Sequence, residues 1–438
     1  MKVNLPETGQ ERIVIIGGGF AGLTMARKLA KSDYQVVLID KNNYHQFQPL
    51  FYQVAMAGLE PSSIVFPLRK SFQKNPNVFI RVTEVRAVEP ALNRLQTDLG
   101  IVNYDHLVIA TGADTNFFGN EHIAQNAIPM KSVSEALYLR NRILDDYEKA
   151  LSVTDYEDRQ SYVDIVIVGG GPTGTEVAGA LAEMRKFVLP KDYGELDTQE
   201  IDIILIEGAP RLLPGMSEDA SQKALDFLKD LQVEVKLNTM VTDYDGDVVN
   251  LQNGDSIRAR KVIWAAGVKG NIIEGMPEEL IVKGNRVQVD RYHRVKGMEN
   301  IYAIGDISYM EENEFPDGHP QVAQVALQHG ENLAKNFLKP GKARQFHYKD
   351  LGSMATIGRK KAVADLPNIK FQGAFAWLVW LFIHLYQLVG VRNRVVVFLN
   401  WIWNYVFYDQ SLRLIIKPKI TDQLVEEQQD KHQQLSKG

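Results

Sequence analysis

Two stretches of the chain repeat each other at long range: IVIIGGGFAG from Ile13 and IVIVGGGPTG from Ile165. Each is a β-branched run too short for a helix, followed by glycines and an alanine-rich amphipathic pattern, LTMARKLA in the first and VAGALAEM in the second. That order reads as strand, tight turn and helix. A second apolar strand ending in an acid follows each time, QVVLID at Asp40 and DIILIE at Glu207. Strand–helix–strand units with parallel pairing restrict the chain to a doubly wound α/β architecture, used twice. Later stretches such as VEVKLNTMVTDYDGDVVNLQNG carry Asp-Gly and Asn-Gly turns and add antiparallel strands to the units.

Gly17, Gly19 and Gly22, and again Gly169, Gly171 and Gly174, match GxGxxG. The first glycine makes the turn and the second lets the backbone approach a pyrophosphate. The third lets helix pack on strand, while the helix N-terminus attracts the anion. Asp40, eighteen residues after Gly22, stands close to the offset expected for a carboxylate that holds ribose hydroxyls, whereas Glu207 stands thirty-three after Gly174, so an insertion lengthens the second crossover. At the second site such a carboxylate repels a 2′-phosphate, which favours NADH over NADPH. Arg211, close by, opposes that reading because a guanidinium there reaches a phosphate.

The chain contains no cysteine, which excludes disulfides, thiolate metal sites, cysteine-held iron–sulfur clusters and dithiol redox chemistry. Its nine histidines show no metal-ligand spacing, so no metal is expected. MKVNLPETGQER at the start lacks the apolar run of a secretory signal, which predicts an intracellular protein.

Near its end the composition changes. AFAWLVWLFIHLYQLVGV, from Ala374 to Val391, and VVVFLNWIWNYVF, from Val395 to Phe407, hold four of the five tryptophans. Between Lys339 and Lys419 thirteen Lys/Arg face three acids, leaving the rest of the chain acidic. Asn393, Asn400 and Asn404 form a narrow polar stripe on the second run. The first run is interrupted by His384 and Gln387 and the second is too short to span a bilayer. Helices lying in an anionic membrane interface fit this composition. A buried core helix or a homodimer surface is the competing reading, and a nucleic-acid partner is not expected. TDQLVEEQQDKHQQLSKG reads as a polar tail.

These motifs, with LVIATGA at Leu107, WAAGV at Trp264 and NIYAIGD at Asn300, resemble the flavoproteins with two dinucleotide-binding domains. NNYHQFQPLFYQVA from Asn42 and PQVAQVALQHG from Pro320 resemble the type II NADH dehydrogenases within them. The resemblance implies an α/β fold with two Rossmann-like domains and a C-terminal amphipathic helical membrane-docking region. It implies FAD-binding residues 1–125 and 286–350, NAD(H)-binding residues 126–285 and a docking region over 351–438.

The implied cofactors are non-covalent FAD and NADH. The implied cofactor residues are Gly17, Gly19, Phe20, Ala21, Gly22, Asp40, Lys41, Gln48, Val85, Ala110, Thr111, Gly112, Gly169, Gly171, Thr173, Gly174, Glu207, Gly267, Asp306 and Ala323. Among them Asp306 holds the ribityl chain of FAD. Glu176, Gln324 and Gln328 are the implied catalytic residues, Glu176 at the nicotinamide and the two amides around a quinone headgroup or the flavin edge.

The expected function is NADH:quinone oxidoreduction by a peripheral, monotopic enzyme on the cytoplasmic face of the membrane, with a membrane quinone as partner and no proton pumping. Two alternatives stay open: a soluble flavin reductase of an electron carrier, and a redox-controlled binding flavoprotein similar to apoptosis-inducing factors. Sulfide:quinone and disulfide reductases are excluded by the missing cysteines.

Overall fold

The computed structural model describes residues 2–407 and 412–416. Its first sheet is parallel. β1 (Arg12–Ile16) pairs with β2 (Gln35–Asp40), β3 (Val78–Val82) lies beyond β2, and β4 (His106–Ile109) pairs with the other edge of β1. With both faces covered, the central strands are almost entirely Val, Ile and Leu. α1 (Phe20–Leu29) makes the crossover from β1 to β2.

The second sheet repeats this plan with β5 (Ile128–Pro129), β6 (Ile165–Val168), β7 (Ile203–Ile206), β8 (Glu234–Lys236) and β9 (Val262–Trp264). All its pairs are parallel, in the order β5-β9-β6-β7-β8. α2 (Pro172–Phe187) starts at the glycine turn after β6. An antiparallel pair, Ala113–Thr115 against Val268–Gly270, ties the two units where the chain passes between them.

The first sheet then gains a strand from far along the chain, as β10 (Ile301–Ala303) pairs with β4. A short turn carrying Asp306 and then α3 (Ala323–Leu338) follow, and α3 packs across α1. The crossing is close: a Cβ at Gly330 of α3 would stand 2.4 Å from the Ala21 carbonyl oxygen.

The stretch after Leu351 is not simply a docking segment, as its sequence suggested. β11 (Ser353–Gly358), β12 (Lys361–Leu366) and β13 (Ile369–Gln372) form an antiparallel meander laid on α2. Gly179 of α2 admits it, since a Cβ there would meet the Ile357 carbonyl oxygen at 1.9 Å. Asp365 fixes its other side, accepting from the Ser217 N–H at 2.6 Å and hydroxyl at 2.9 Å.

α4 (Ala374–Gln387) and α5 (Val391–Phe407) complete the described fold. At 14 and 17 residues they are about 21 and 25 Å long. Among the described residues no helix is long and apolar enough to cross a membrane. The apolar run that spans Ala374 to Val391 in sequence is broken because Leu388 is extended and Gly390 takes φ +91°.

The helices are part of the core as well as an outer face. Trp380, Leu388 and Val397 are buried in the main core. The asparagine stripe points inward: Asn393 donates to the Val65 carbonyl at 2.8 Å and Asn404 to the Gly58 carbonyl at 3.0 Å. Of the four tryptophans read as interfacial, only Trp403 is mostly outward, 51% exposed, while Trp380 is 1% exposed. The outer face is instead Phe375, Leu378, Phe382 and Tyr386 on α4, with Leu399, Trp403 and Val406 on α5. The polar tail, 421–438, lies outside the described residues.

Candidate active site

At the C-terminal ends of the first sheet lies a cavity of about 670 Å³, within the size range of cofactor sites. Around it the fold gathers Gly17, Gly19, Phe20, Ala21, Asp40, Lys41, Gln48, Val85, Ala110, Thr111, Gly112, Asp306 and Ala323. Gly22 does not line it. It lies beneath, where a Cβ would sit 1.9 Å from the Gly17 carbonyl oxygen, and so keeps α1 against the turn. Gly17 itself has φ +107° and backs onto Ala110. A Cβ at Gly19 would meet nothing within 4 Å, so the backbone there is open to the cleft.

Asp40 braces the turn, its two carboxylate oxygens accepting from the Gly18 and Asn42 N–H groups at 2.6 Å each. Burial raises its pKa, opposed by those two hydrogen bonds. Asp306 faces the deep end, and burial raises its pKa against the charges of Lys131 and Arg286. Its turn is held by His329, whose Nδ1 accepts from the Gly305 N–H at 3.2 Å, and by Gln321, whose amide donates to the Asp306 carbonyl at 2.9 Å. The N-terminus of α3, at Ala323, opens on the same space and supplies a positive helix end. A cleft with a glycine turn, a carboxyl at that turn, a deep carboxyl and a helix N-terminus fits an adenine dinucleotide that carries a ribityl chain.

Sequence reasoning missed Lys131, Gln321 and His329. Gln321 and His329 flank the two glutamines in the quoted PQVAQVALQHG and could have been read with them. Lys131 reaches the cleft from the chain entering the second unit, and no local pattern marks it.

The second glycine turn copies the first. Gly169 has φ +109° and backs onto Ala265 and Ala266; Gly174 packs on the Gly169 carbonyl oxygen. Gly171 and Thr173 face outward at the start of α2. Glu207 accepts from the Gly170 N–H and from the Ala209 N–H at 2.7 Å, as Asp40 does in the first unit. Arg211 is committed to its own loop, donating to the Met216 and Pro214 carbonyls at 2.7 and 2.8 Å and to the Ser221 hydroxyl at 2.9 Å. Gly267, with φ +126°, follows Ala265 and Ala266 and meets the Phe118 ring.

A second, smaller cavity of about 140 Å³ opens between α2, the 52–58 segment, the β11 turn and helices α4 and α5. Glu176 and Glu183 of α2 line it, opposite Trp377, Trp401 and Tyr405. Tyr52 and Gln53 close one side, with the Gln53 amide donating to the Tyr52 hydroxyl at 2.8 Å and accepting from Trp401 Nε1 at 2.7 Å. Burial pushes the Glu176 carboxyl up to about 8, opposed by the Thr356 N–H 3.5 Å away. Burial thus favours the protonated form of Glu176 over the carboxylate.

Gln324 and Gln328 do not frame this space. Both amides face one way, as helical spacing requires, but toward the 349–352 segment. Gln324 accepts from Leu351 N–H at 3.0 Å and donates to the Gly352 carbonyl at 3.2 Å. Gln328 is paired with Lys349 through its N–H at 3.0 Å and its carbonyl at 2.9 Å. Neither lines either cavity, so here both act as clamps that tie α3 to the chain entering the C-terminal sheet.

Residues 11–330 match the pyridine nucleotide-disulphide oxidoreductase family and residues 351–408 match the NDH2 C-terminal domain. The chain is 37% identical over 413 residues to the type II NADH:quinone oxidoreductase NdhA of Mycobacterium tuberculosis, covering 90% of this chain and 87% of that one. It is 28% identical over 389 residues to the type II NADH:quinone oxidoreductase of Staphylococcus aureus, covering 84% and 93%. A solved structure of NDH2 from Plasmodium falciparum in complex with NADH has the same fold, with TM-score 0.85 at 23% identity over 93% of this chain and 100% of the other. The sulfide:quinone oxidoreductase of Aquifex aeolicus also shares the fold, TM-score 0.68 at 19% identity over 94% and 97%.

Proposed function

The chain belongs to the type II NADH:quinone oxidoreductases, and from that premise we propose how it works: as a peripheral membrane enzyme with FAD in the large cleft, NADH at the second glycine turn and a membrane quinone in the cavity beneath α4 and α5. The observation that carries this reading is the second cavity. It joins the Glu176 carboxyl, which burial pushes up to about 8, to an aromatic wall whose outer side is an exposed apolar face. The excursion from Tyr44 to Gly58 lines both cavities and so connects the two sites.

Gly17, Gly19, Asp40 and the α1 N-terminus would hold the adenosine and pyrophosphate of FAD, and Asp306 its ribityl hydroxyls. Attachment is non-covalent in this reading, as no cysteine is present to form a thioether. The chemistry that FAD supplies when bound is acceptance of a hydride and delivery of two electrons, one at a time or together. The residues of the chain provide position and protons.

Quinone reduction takes two electrons and two protons, with the balance NADH + H⁺ + Q → NAD⁺ + QH₂. Glu176 can give one of those protons inside the cavity and recover it from solvent. Phe375, Leu378, Phe382 and Tyr386 would rest in the lipid interface, with Arg392 and Lys370 at its rim facing anionic headgroups. This reading includes no proton pumping.

Two variants probe the two substrate sites. Glu176 has its pKa raised, so its neutral form is present below about 8 and is lost as pH rises through that value. Quinone reduction by the wild type should therefore decline above about pH 8, while Glu176→Gln, neutral throughout, should be slower by roughly tenfold or more with no decline there. The same pH–rate profile in both proteins would remove Glu176 from the reaction.

At the other site this reading sets Glu207 against the adenosine ribose, and Arg211 beside it is held by its own loop. NADH should be preferred to NADPH, and Glu207→Gln should narrow the preference by about tenfold, chiefly through apparent affinity. Equal use of both nucleotides by the wild type would contradict the assignment. The activity itself is tested by NADH consumption with a short-chain quinone: the rate should depend on the quinone and match quinol formed. NADH consumption without quinol would defeat it.

A further inference from the structure

Phe118 combines two features found together in no other large apolar side chain among the described residues. It is 68% exposed, and its backbone is left-handed, φ +52°. Left-handed backbone disfavours a bulky residue, and an aromatic ring in water gains nothing by being there. The neighbouring Phe117 does what a packing residue would do, resting on the Trp264 ring at 6.0 Å.

The conformation is built rather than loose. Asn116 donates its N–H to the Gly267 carbonyl at 3.1 Å, accepts from Trp264 Nε1 at its own carbonyl at 2.9 Å, and accepts from the Phe118 N–H at its side chain at 2.9 Å. Asn120 closes the loop with its N–H on the Phe117 carbonyl at 3.0 Å. This segment of the first unit is thus pinned to the WAAGV strand of the second.

The ring ends up over Gly267, where a Cβ would stand 3.2 Å from Phe118 Cζ. Gly267 follows Ala265 and Ala266, whose backbone stands against Gly169 of the second glycine turn. In the sheet, β9 lies on one side of β6 and β7, which ends at Glu207, on the other. A dinucleotide laid over the turn with its adenosine ribose at Glu207 sends its other half toward β9 and Phe118.

We propose that Phe118 is a positioning residue for NADH, presenting its ring to the nicotinamide riboside half. The inference rests on the assignment of NADH to the second unit. It explains both features: the ring is exposed until the nucleotide covers it, and the left-handed backbone is what turns it over Gly267. Stacking on an aromatic face is tolerant of ring chemistry and suits a nicotinamide.

Phe118→Asn tests it, because asparagine accepts left-handed backbone and removes the ring; Phe118→Trp restores an aromatic face. The Asn variant should keep its FAD and melt no lower than the wild type. Its KM for NADH should rise about fivefold or more. Its binding of nicotinamide mononucleotide, read by melting-temperature shift, should weaken by a similar factor, while binding of ADP-ribose should change by less than about twofold. The Trp variant should stay within about twofold of the wild type throughout.

An Asn variant with the KM of the wild type, or one that loses ADP-ribose as much as nicotinamide mononucleotide, overturns the proposal. So does a Trp variant as impaired as the Asn variant. A wild type that neither oxidises NADH nor binds either half would instead bring down the NADH assignment itself, so the two failures are distinguishable.

Discussion

Protein carrying Phe382→Glu together with Trp403→Glu should remain in the supernatant when mixed with anionic vesicles, while the wild type sediments with them. Both side chains lie on the outer face, 70% and 51% exposed, and neither belongs to the buried core. Each exchange removes apolar burial worth about 2–3 kcal/mol and adds a charge repelled by the surface at about 1 kcal/mol. The pair therefore weakens partition by a factor of a thousand or more. FAD content should be unchanged, and reduction of a water-soluble acceptor should continue while reduction of bilayer quinone falls sharply. This is a cleaner test than removal of α4 and α5, because Trp380, Leu388 and Val397 make those helices part of the core. A doubly substituted protein that still sediments would show that another surface binds the membrane.

Gly330→Val should yield protein with little or no flavin. The Cβ would arrive 2.4 Å from the Ala21 carbonyl oxygen, backbone against side chain, with no flexible group to yield. Relief requires α1 and α3 to separate, and those helices carry the N-terminal glycine turn and the Asp306 turn on either side of the cleft. Overpacking of this kind costs about 3 kcal/mol or more, which transmitted to the site is a hundredfold loss of affinity. Gly341→Val is the control, since a Cβ there meets nothing within 4 Å. Flavin absorbance per protein in the purified variants decides the matter: equal content in both would mean that the helix crossing does not shape the cleft.

What the sequence revealed, and what it hid, follows from the range of the interactions. The two nucleotide units were legible because strand, glycine turn, helix and acid lie within one short segment, so local chemistry dictates each. The insertion of β10 beside β4 was not legible, as pairing across so long a chain separation leaves no periodic mark; the resemblance assigned residues 286–350 to the FAD-binding part without placing the strand. The β11–β13 meander was missed because its alternation is short and sits beside a far stronger apolar signal. Composition placed the aromatic helices at a surface correctly but misjudged their sides: an asparagine or tryptophan on an amphipathic helix reads as outward, yet Asn393, Asn404 and Trp401 find partners at Val65, Gly58 and Gln53. Gln324 and Gln328 meet a related limit. Helical spacing shows that two amides share a face and says nothing of what that face meets, here the backbone from Lys349 to Gly352. Arg211 shows the converse, a charge that looked available and is committed to its own loop.

The central claim is that one protein takes electrons from NADH and gives them to a quinone that reaches it from the bilayer. It is tested most directly by anaerobic mixing in two steps with FAD-loaded protein on vesicles. Addition of one equivalent of NADH should bleach the flavin absorbance. Subsequent addition of vesicles carrying quinone should restore it, with one quinol formed for each NADH consumed. Flavin that bleaches with NADH and stays bleached in the presence of quinone, recovering only with a soluble electron carrier, would contradict the account.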